Sequence, residues 1–384
     1  MTRREQLITP AFVFVTVAGL CQFVSLGATL PVLPRYIEGP LGGGSIAVGF
    51  GVGAFAISAV VARPFLGRLG DLAGRRVLVV GGGLLLGAGT AGLAIFDSYI
   101  WLIAMRLVQG VGEAAQFVGA VTLVSDLAPE HRRGEATSYF SVAVYVGLGV
   151  GPLIGETVLD ATSFVTVWLV AGGLSLAGAL IGLGIPQVRP AHVPTRRRLI
   201  HPAGLGAGAV VGLGIMGLTA FLAFMPLHAD DLGLDGARWV FAVYGGIVLL
   251  VRIFGATIPD RLGYVPTATV ALAAIGTGLV LMGAWNTEAG LYAGTAIFAA
   301  GMSLLYPALM SLALAGVPEG ERASVVGTFT AFFDVAQGLG GAALGVVAAL
   351  SDYEGAFVVG GLLAASGILL LRSLAPRPEP LAVE

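Results

Sequence analysis

The sequence contains no lysine, one cysteine and few charged side chains. All 20 basic residues among its 384 positions are arginines, which we attribute to genome composition. The single cysteine, Cys21, excludes intramolecular disulfides and thiolate metal clusters. Charged residues make up only 11% of the chain, against about 25% in ordinary globular proteins. A soluble protein of this length could not cover its surface with so few charges.

Motifs for nucleotide hydrolysis and metal binding are also missing from the sequence. It has no G-x-x-x-x-G-K-[ST] phosphate loop, and its 4 histidines are scattered without the spacing of metal ligands. No set of Ser, His and Asp residues is arranged in a way typical of hydrolases. We therefore expect no enzymatic activity, no cofactor and no bound metal. The net charge of −2 gives no reason to expect a nucleic-acid partner.

Long apolar runs are what the chain has in excess. Hydrophobic residues form 57% of it, and runs of about 20 residues, the length of helix that crosses a bilayer, recur along nearly the whole chain. The strands of a membrane β-barrel would instead give segments of about 10 residues with alternating polarity. The 60 glycines are typical of helices that pack closely in lipid. The sequence therefore predicts an all-α polytopic protein whose solvent is the lipid bilayer.

The apolar runs predict twelve membrane spans in two groups of six. A longer connection at 186–201 carries four arginines, three prolines and no acid, and it separates region 1–185 from region 202–384. Each region is expected to form one helix bundle. The spans are predicted at 11–36, 45–68, 77–96, 99–125, 135–158, 163–185, 202–227, 237–258, 266–285, 290–316, 324–350 and 355–374.

The distribution of arginines predicts the orientation of the chain. Short loops after the even-numbered spans and both tails are rich in arginine, whereas the other side has only Arg35 and Arg238. The positive-inside rule places both termini in the cytoplasm. We expect the protein to lie in the plasma membrane of a bacterial or archaeal cell. The first apolar run is too long for a removable signal, so we expect it to be a retained span.

An internal repeat relates the two groups of spans. At an offset of 189 residues, Arg63 falls on Arg252, Asp71 on Asp260, and further arginine, glycine and proline positions coincide without a gap. The coinciding residues are charged residues, glycines and prolines rather than the abundant Ala, Val and Leu, so chance alignment of apolar helices does not account for them. Two bundles of the same topology predict a pseudo-two-fold axis along the membrane normal and a cavity between the bundles.

The loop between spans 2 and 3 carries the most specific motif. It contains Gly67, Asp71, Gly74, Arg75 and Arg76, and a degenerate copy around Asp260 follows span 8. This pattern resembles the G-x-x-x-D-x-x-G-R-R signature of the major facilitator superfamily. The resemblance covers essentially the full length and implies a transporter of twelve helices in two pseudo-symmetric six-helix bundles, which acts by alternating access as a monomer. It also implies that this loop gates the cytoplasmic side. Because Arg63 and Arg252 occupy corresponding positions in the repeat, we group them with the gate and expect them to hydrogen-bond span ends or acids across the interface between the bundles.

Span 5 resembles the G-x-x-x-G-P-x-x-G-G motif of antiporters in the same family. The matching residues are Gly147, Gly151, Pro152 and Gly155, and Glu156 replaces the last glycine of the motif. The glycines form a ridge suited to close helix packing. The chain is most similar to bacterial drug or metabolite efflux permeases, which implies proton-coupled export of a small organic molecule.

Span 4 carries a single polar stripe formed by Arg106, Gln109, Glu113 and Gln116. In lipid such a stripe must face the bundle interior or a wet cavity. Glu113 stands where the family usually has a small residue, and we predict that it carries the coupling proton, with Asp334 of span 11 as an alternative or second site. A structural role for Glu113, neutralised by Arg106 or an arginine of another helix, is the other interpretation.

The same reasoning predicts residues that line the substrate cavity. Each contributes a hydroxyl, amide, guanidinium or phenol group to a span that is otherwise apolar, which suits an amphipathic substrate. The candidates are Gln22, Ser25, Thr29, Arg106, Gln109, Gln116, Tyr145, Tyr306, Thr330 and Gln337.

Two other functions are compatible with these patterns. One is a proton-coupled importer or uniporter of a sugar or other metabolite. The other is a membrane sensor that transports nothing, although the sequence has no recognisable signalling domain.

Overall fold

The computed structural model describes residues 7–129, 132–187, 200–255 and 258–374, which are helical apart from short connections. Fourteen helices follow one another in this part of the chain. They are α1 Pro10–Thr29, α2 Val32–Glu38, α3 Ser45–Ala73, α4 Arg75–Gly92, α5 Tyr99–Leu127, α6 Arg133–Ala161, α7 Phe164–Gly182, α8 Pro202–Asp231, α9 Arg238–Phe254, α10 Ile258–Leu262, α11 Tyr264–Ala284, α12 Glu288–Leu314, α13 Glu319–Leu350 and α14 Tyr353–Leu374.

These helices make up the twelve spans that the sequence predicts. Helices α1 and α2 form one continuous crossing of 29 residues, Pro10–Glu38, and α10 is a short extension of the span that α9 begins. Ten crossings are long and apolar enough to span a membrane. The other two are α4, which starts with two arginines, and α9, which has 17 residues.

The helices extend beyond several of the predicted spans. Helix α13 starts at Glu319 instead of 324, and α8 continues to Asp231 instead of 227. The apolar run measures only the part of the helix that lies in hydrocarbon, and polar residues continue the helix past it. Hydropathy therefore locates a span better than it locates the ends of the helix.

Two groups of helices, α1–α7 and α8–α14, pack mainly within themselves. Helix α4 packs on α5 and α1 on α6 in the first group, and α11 packs on α12 and α8 on α13 in the second. Between the groups the main contacts are α3 with α13 and α6 with α9. The internal repeat maps α3 onto α9 and α6 onto α13, so the two contacts are pseudo-two-fold equivalents.

We call the side of the bundle at which α1 begins and α14 ends the terminal face, and the other side the opposite face. A glycine with positive φ ends the helix on the terminal side of two equivalent spans. Gly74, with φ of 96°, separates α3 from α4, and Gly263, with φ of 87°, separates α10 from α11. Residues with a Cβ rarely adopt this conformation. The repeat therefore preserves a backbone requirement as well as charged side chains.

The contact between α3 and α13 near the opposite face is made by glycines. A Cβ atom at Gly49 would lie 2.0 Å from the carbonyl oxygen of Gly341, and one at Gly53 would lie 2.6 Å from that of Gly338. Only glycine allows the two backbones to approach so closely. This contact holds the two groups together on the opposite face.

We expect Gly49→Ala to lower the melting temperature of the purified protein. The added methyl group overlaps backbone that cannot move aside like a flexible side chain, and overpacking of this kind costs about 1–3 kcal/mol. Thermal unfolding in detergent measures the effect.

Gly173→Ala is the matched control, because no atom lies within 4 Å of the added methyl group in the middle of α7. Alanine favours a helix over glycine by about 1 kcal/mol, so this variant should be as stable as the parent or slightly more stable. Equal melting temperatures for the two variants would contradict the role given to the contact.

Candidate functional site

A guanidinium group lies between two carboxylates at the contact of the two helix groups. Arg63 of α3 places its Nε atom 2.6 Å from Oδ2 of Asp334 in α13, and its Nη2 donates to Oδ1 of the same residue at 3.1 Å. The Nη2 atom is also 3.8 Å from Oε2 of Glu113 in α5. The guanidinium lies over the ring of Phe117, 5.7 Å from its centroid. One arginine of the first group thus holds an acid of the second.

A second arginine crosses between the groups in the other direction. Arg252 of α9 donates a hydrogen bond from Nη2 to the hydroxyl of Tyr145 in α6. Its guanidinium carbon lies 4.4 Å from the centroid of the same ring. Among the described residues, the Nε atom of Arg252 has no hydrogen-bond partner. The contact therefore combines one hydrogen bond with a cation–π interaction.

The internal repeat relates these two contacts. Arg63 corresponds to Arg252, and Asp334 corresponds to Tyr145, so each arginine reaches across to the equivalent position of the other group. From the sequence, both arginines are expected near the cytoplasmic ends of their spans, with hydrogen bonds to span ends or acids across the interface between the groups. In the structure Arg63 meets an acid of the other group, Asp334, whereas Arg252 meets Tyr145.

Arg106 is not the cation beside Glu113. Its Nε donates to the carbonyl oxygen of Gly51 at 2.9 Å and its Nη1 to the side chain of Gln109 at 2.8 Å, while its guanidinium lies 4.7 Å from the ring centroid of Phe55. These contacts bind α5 to α3 within the first group. Of the arginines considered for the structural interpretation of Glu113, the one beside it belongs to another helix: it is Arg63 of α3.

Several other predicted cavity residues pack between helices of the first group. Gln116 donates to the carbonyl oxygen of Ala18 at 3.1 Å, and Ser25 donates to that of Ala171 at 2.6 Å. Both side chains are buried, as is Gln22. Thr29 bonds a carbonyl oxygen of its own helix. The hydrogen bonds of Gln116 and Ser25 thus join neighbouring helices to each other.

The candidates of the second group lie closer to the charged cluster. The ring of Tyr306 packs edge-on against Phe329 and Phe333 of α13, the helix that carries Asp334. Thr330 donates to a carbonyl oxygen of its own helix, and Gln337 is half-buried.

An aromatic cluster is built around the helix that carries Arg252. Tyr244 precedes Arg252 by eight positions in α9, and its ring lies 5.8 Å from that of Phe298 and 5.1 Å from that of Phe221. The repeat offers a signal for such residues: Phe117 beside Arg63 corresponds to Tyr306, and Phe55 corresponds to Tyr244. The surroundings of the charged cluster are therefore strongly aromatic.

The loop with the family signature forms its contacts within the first group. Asp71 lies 2.7 Å from Nη2 of Arg75, and Arg75 also lies 3.6 Å from Asp126 of α5. Arg76 is half-buried. A Cβ atom added at Gly67 would have no other residue within 4 Å. Asp260 falls in α10, but its side chain is outside the described part of the structure.

The glycine ridge of α6 packs on α1. A Cβ at Gly155 would lie 2.0 Å from the carbonyl oxygen of Ala28, and one at Gly151 would lie 2.6 Å from the Cα of Gly27. Gly147 lies as close to Phe23. Pro152 continues the ridge inside the same helix. The motif thus fixes two helices of the first group against each other.

Glu156, the departure from this motif, reaches the second group. Its carboxylate is fully buried and accepts hydrogen bonds from the backbone nitrogens of Ala237 at 2.9 Å and Arg238 at 2.5 Å. Helix α9 has no capping side chain of its own, so Glu156 supplies the acceptor that its first turn lacks. Arg35 donates to the same carboxylate at 3.2 Å.

The two arginines on the opposite face join the groups there. Arg35 of α2 donates from Nε to Oδ2 of Asp230 in the second group at 2.7 Å. Arg238 of α9 pairs with Asp160 of α6. Within the described residues, these pairs and the contacts of Glu156 are the ion pairs that join the groups outside the central cluster. Arg35 and Arg238, the two arginines on the face that is otherwise poor in arginine, thus have a structural role.

Comparison with known sequences gives matches over nearly the whole chain. The model of the Major Facilitator Superfamily matches residues 15–282 and 205–384. An uncharacterized MFS-type transporter of Salmonella typhimurium is 28% identical over 377 residues, which cover 94% of this chain and 95% of that protein. The uncharacterized MFS-type transporter YhhS of Shigella flexneri is 24% identical, with 95% and 93% covered.

Solved transporters have the same fold. The human organic anion transporter MFSD10 matches 94% of this chain and 99% of its own with a TM-score of 0.72 at 18% identity. The nucleoside transporter NupG matches 94% and 99% with a TM-score of 0.77 at 14% identity. The sequence motifs, the twelve spans and the matches to the family over both groups of helices lead to one conclusion: this chain is a multi-pass membrane transporter and belongs to the Major Facilitator Superfamily.

Proposed function

We propose that this transporter exports a small amphipathic organic compound in exchange for protons, as a monomer in the bacterial inner membrane. The observation that carries the proposal is the position of Arg63, which bridges Asp334 of the second group and Glu113 of the first. A change in the charge of either carboxylate alters the attraction between the groups. The site can therefore connect proton binding to a movement of one group against the other.

Regions 1–185 and 202–384 are the two units that move, with 186–201 as the cytoplasmic linker. The main contacts between them are α3 with α13 and α6 with α9. Since these contacts are pseudo-equivalent, a rocking motion about the centre loosens both on one face and tightens both on the other. This supports alternating access around the Arg63 cluster.

Charge balance indicates which carboxylate exchanges the proton. One guanidinium faces two carboxylates, so full ionisation leaves one negative charge in excess inside the membrane. Asp334 has the hydrogen bond and the shorter contact, whereas Glu113 lies 3.8 Å from Arg63. Glu113 is thus the carboxylate that can take up a proton without breaking the contact between the groups. Protonation of Asp334 releases that contact.

The joined face indicates the side to which the central site opens. The ion pairs of Glu156, Arg35 and Arg238 and the glycine contact of α3 with α13 join the groups at the opposite face. Asp71 and Arg75, on the terminal face, pair only within the first group among the described residues. With both termini in the cytoplasm, this is an inward-facing state, which importers and exporters both adopt, and the resemblance of α6 to the antiporter motif is what favours export.

We expect Glu113→Gln to abolish substrate-driven proton movement while substrate still binds. The amide imitates the protonated acid and cannot release a proton. Proteoliposomes with an internal pH-sensitive dye, challenged with a panel of aromatic anions, cations and neutral compounds, measure the proton movement.

Glu288→Gln is the control for loss of an acid, because Glu288 is exposed at the start of α12, on the opposite face of the bundle. It should behave as the parent does. Full coupling by Glu113→Gln would rule out Glu113 as the proton site, and full coupling by Asp334→Asn as well would rule out proton coupling through this cluster.

We expect Asp71→Asn to slow turnover and leave substrate affinity within about threefold of the parent. Asp71 lies at the terminal face and pairs with Arg75, away from the central cluster. Its loss changes how the terminal face closes, and the substrate site keeps its residues. Transport rates and equilibrium binding, measured on the same preparation, separate the two effects. A selective loss of binding with unchanged folded fraction would contradict the gating role.

We expect Glu156→Gln to favour the state that is open at the opposite face. The change removes a buried negative charge from between Arg35 and Arg238, and breaking a buried pair costs about 3–5 kcal/mol. A cysteine introduced as Ser45→Cys in a Cys21→Ser background reports this opening by its labelling with a membrane-impermeant maleimide. Labelling should be faster in Glu156→Gln than in Asp235→Asn, which removes an exposed acid beside the same cluster. Equal rates would show that Glu156 does not hold this face closed.

A further inference from the structure

The two equivalent arginines of the central cluster differ in their surroundings. Arg63 has two carboxylates within 4 Å, those of Glu113 and Asp334. Among the described residues, Arg252 has none, and its only hydrogen-bond partner is the hydroxyl of Tyr145. In the part of the chain that the structure describes, no neighbouring acid therefore balances the positive charge of Arg252.

The internal repeat shows that Arg63 and Arg252 occupy equivalent positions and differ in whether acids stand beside them. The repeat partner of Asp334 is Tyr145, which contacts Arg252 in the way that Asp334 contacts Arg63. The repeat partner of Glu113 is Met302. The second arginine has thus kept its place and its contact across the groups, while a phenol and a thioether occupy the positions of the two carboxylates.

An arginine inside the membrane requires a counter-charge or water. The buried Nε of Arg252 has no hydrogen-bond partner in the described structure, so the protein does not satisfy all the donors of this guanidinium. Because the hydroxyl of Tyr145 accepts a hydrogen bond from Arg252, its own proton is available to donate to the same acceptor. The pair thus offers donors of both kinds around one uncompensated positive charge.

We propose that Arg252 and Tyr145 bind the anionic group of the substrate, and that the exported compound is an organic anion with an aromatic or other flat apolar body. Guanidinium and phenol donors suit a carboxylate, phosphonate or sulfonate. The half-buried ring of Tyr244, on the same helix as Arg252, offers surface for the apolar body, and the fully buried rings of Phe298 and Phe221 pack against it. This inference rests on the proposed function, since it names the class of compound that the same central site exports.

An anionic substrate agrees with exchange against protons. The inner side of a bacterial membrane is negative, so exit of an anion and entry of a proton are both driven by the membrane potential. The proton and the substrate also bind at separate places. The proton binds to a carboxylate beside Arg63, and the anionic substrate binds to Arg252. Binding of the anion neutralises the positive charge of Arg252, which the protein itself leaves without a counter-charge among its described residues.

Substitution of Tyr145 tests whether Arg252 lacks an anion. Tyr145→Asp introduces the residue found at the equivalent position, Asp334, and gives Arg252 an internal counter-ion. Tyr145→Asn has nearly the same shape without the charge. In the absence of ligand, Tyr145→Asp should melt at a higher temperature than Tyr145→Asn. A Tyr145→Asp protein that is unfolded, or that melts at or below the temperature of Tyr145→Asn, would overturn the proposal.

Equilibrium binding tests the substrate class. The probes are benzoate, phenylphosphonate and benzenesulfonate, with benzylammonium and benzyl alcohol as the cationic and neutral counterparts. At least one of the three anions should raise the melting temperature of the parent protein more than either counterpart does. Tyr145→Asp should bind that anion at least tenfold more weakly than Tyr145→Asn, and Arg252→Lys should retain binding that Arg252→Gln loses. Absence of a shift with all three anions, a preference for benzylammonium, or unchanged anion binding in Tyr145→Asp would overturn the proposal.

These measurements need no proton gradient, so they separate this inference from proton-coupled export. Failure of anion binding, with proton movement still dependent on Glu113, would remove the substrate class and leave the proposed function intact. Anion binding in a protein that moves no protons would support the substrate class and contradict proton-coupled export.

Discussion

The structure depends on one interaction above the others, the ion pair between Arg63 and Asp334. It joins an arginine of the first six spans to an acid of the last six, at the place where α3 meets α13. A buried pair of this kind is costly to break because each charge would be left in low dielectric. The relative position of the two groups is therefore tied to the charge state of a few side chains at the centre.

The fold could be predicted from the sequence almost completely, and the neighbours of the charged residues only in part. Apolar runs and the 189-residue repeat determine the number of spans and their two-fold relation. A polar stripe, however, gives the face of a helix and not the helix that faces it. Arg106 and Glu113 share a stripe on α5, yet one bonds α3 backbone and the other lies beside Arg63.

Departures from the family pattern carry the most specific information about this chain. Glu113 and Glu156 both stand where a small residue is expected, and both are bound to arginines in the structure. Their partners could not be predicted, because Arg63 and Arg238 lie 50 and 82 positions away in the chain. The repeat would have given one of the contacts, since Arg63 with Asp334 and Arg252 with Tyr145 are the same contact made twice.

The capping of α9 by Glu156 has a mechanical consequence. Glu156 holds the first residue of α9, Arg238, and Arg252 lies fourteen residues further along the same helix, about 20 Å at the rise of an α-helix. A helix of this length transmits displacement as a stiff rod. Release of Glu156 from the first turn would therefore move the guanidinium at the other end of the helix as well, so that opening of the opposite face and a change in the contacts of Arg252 are mechanically linked.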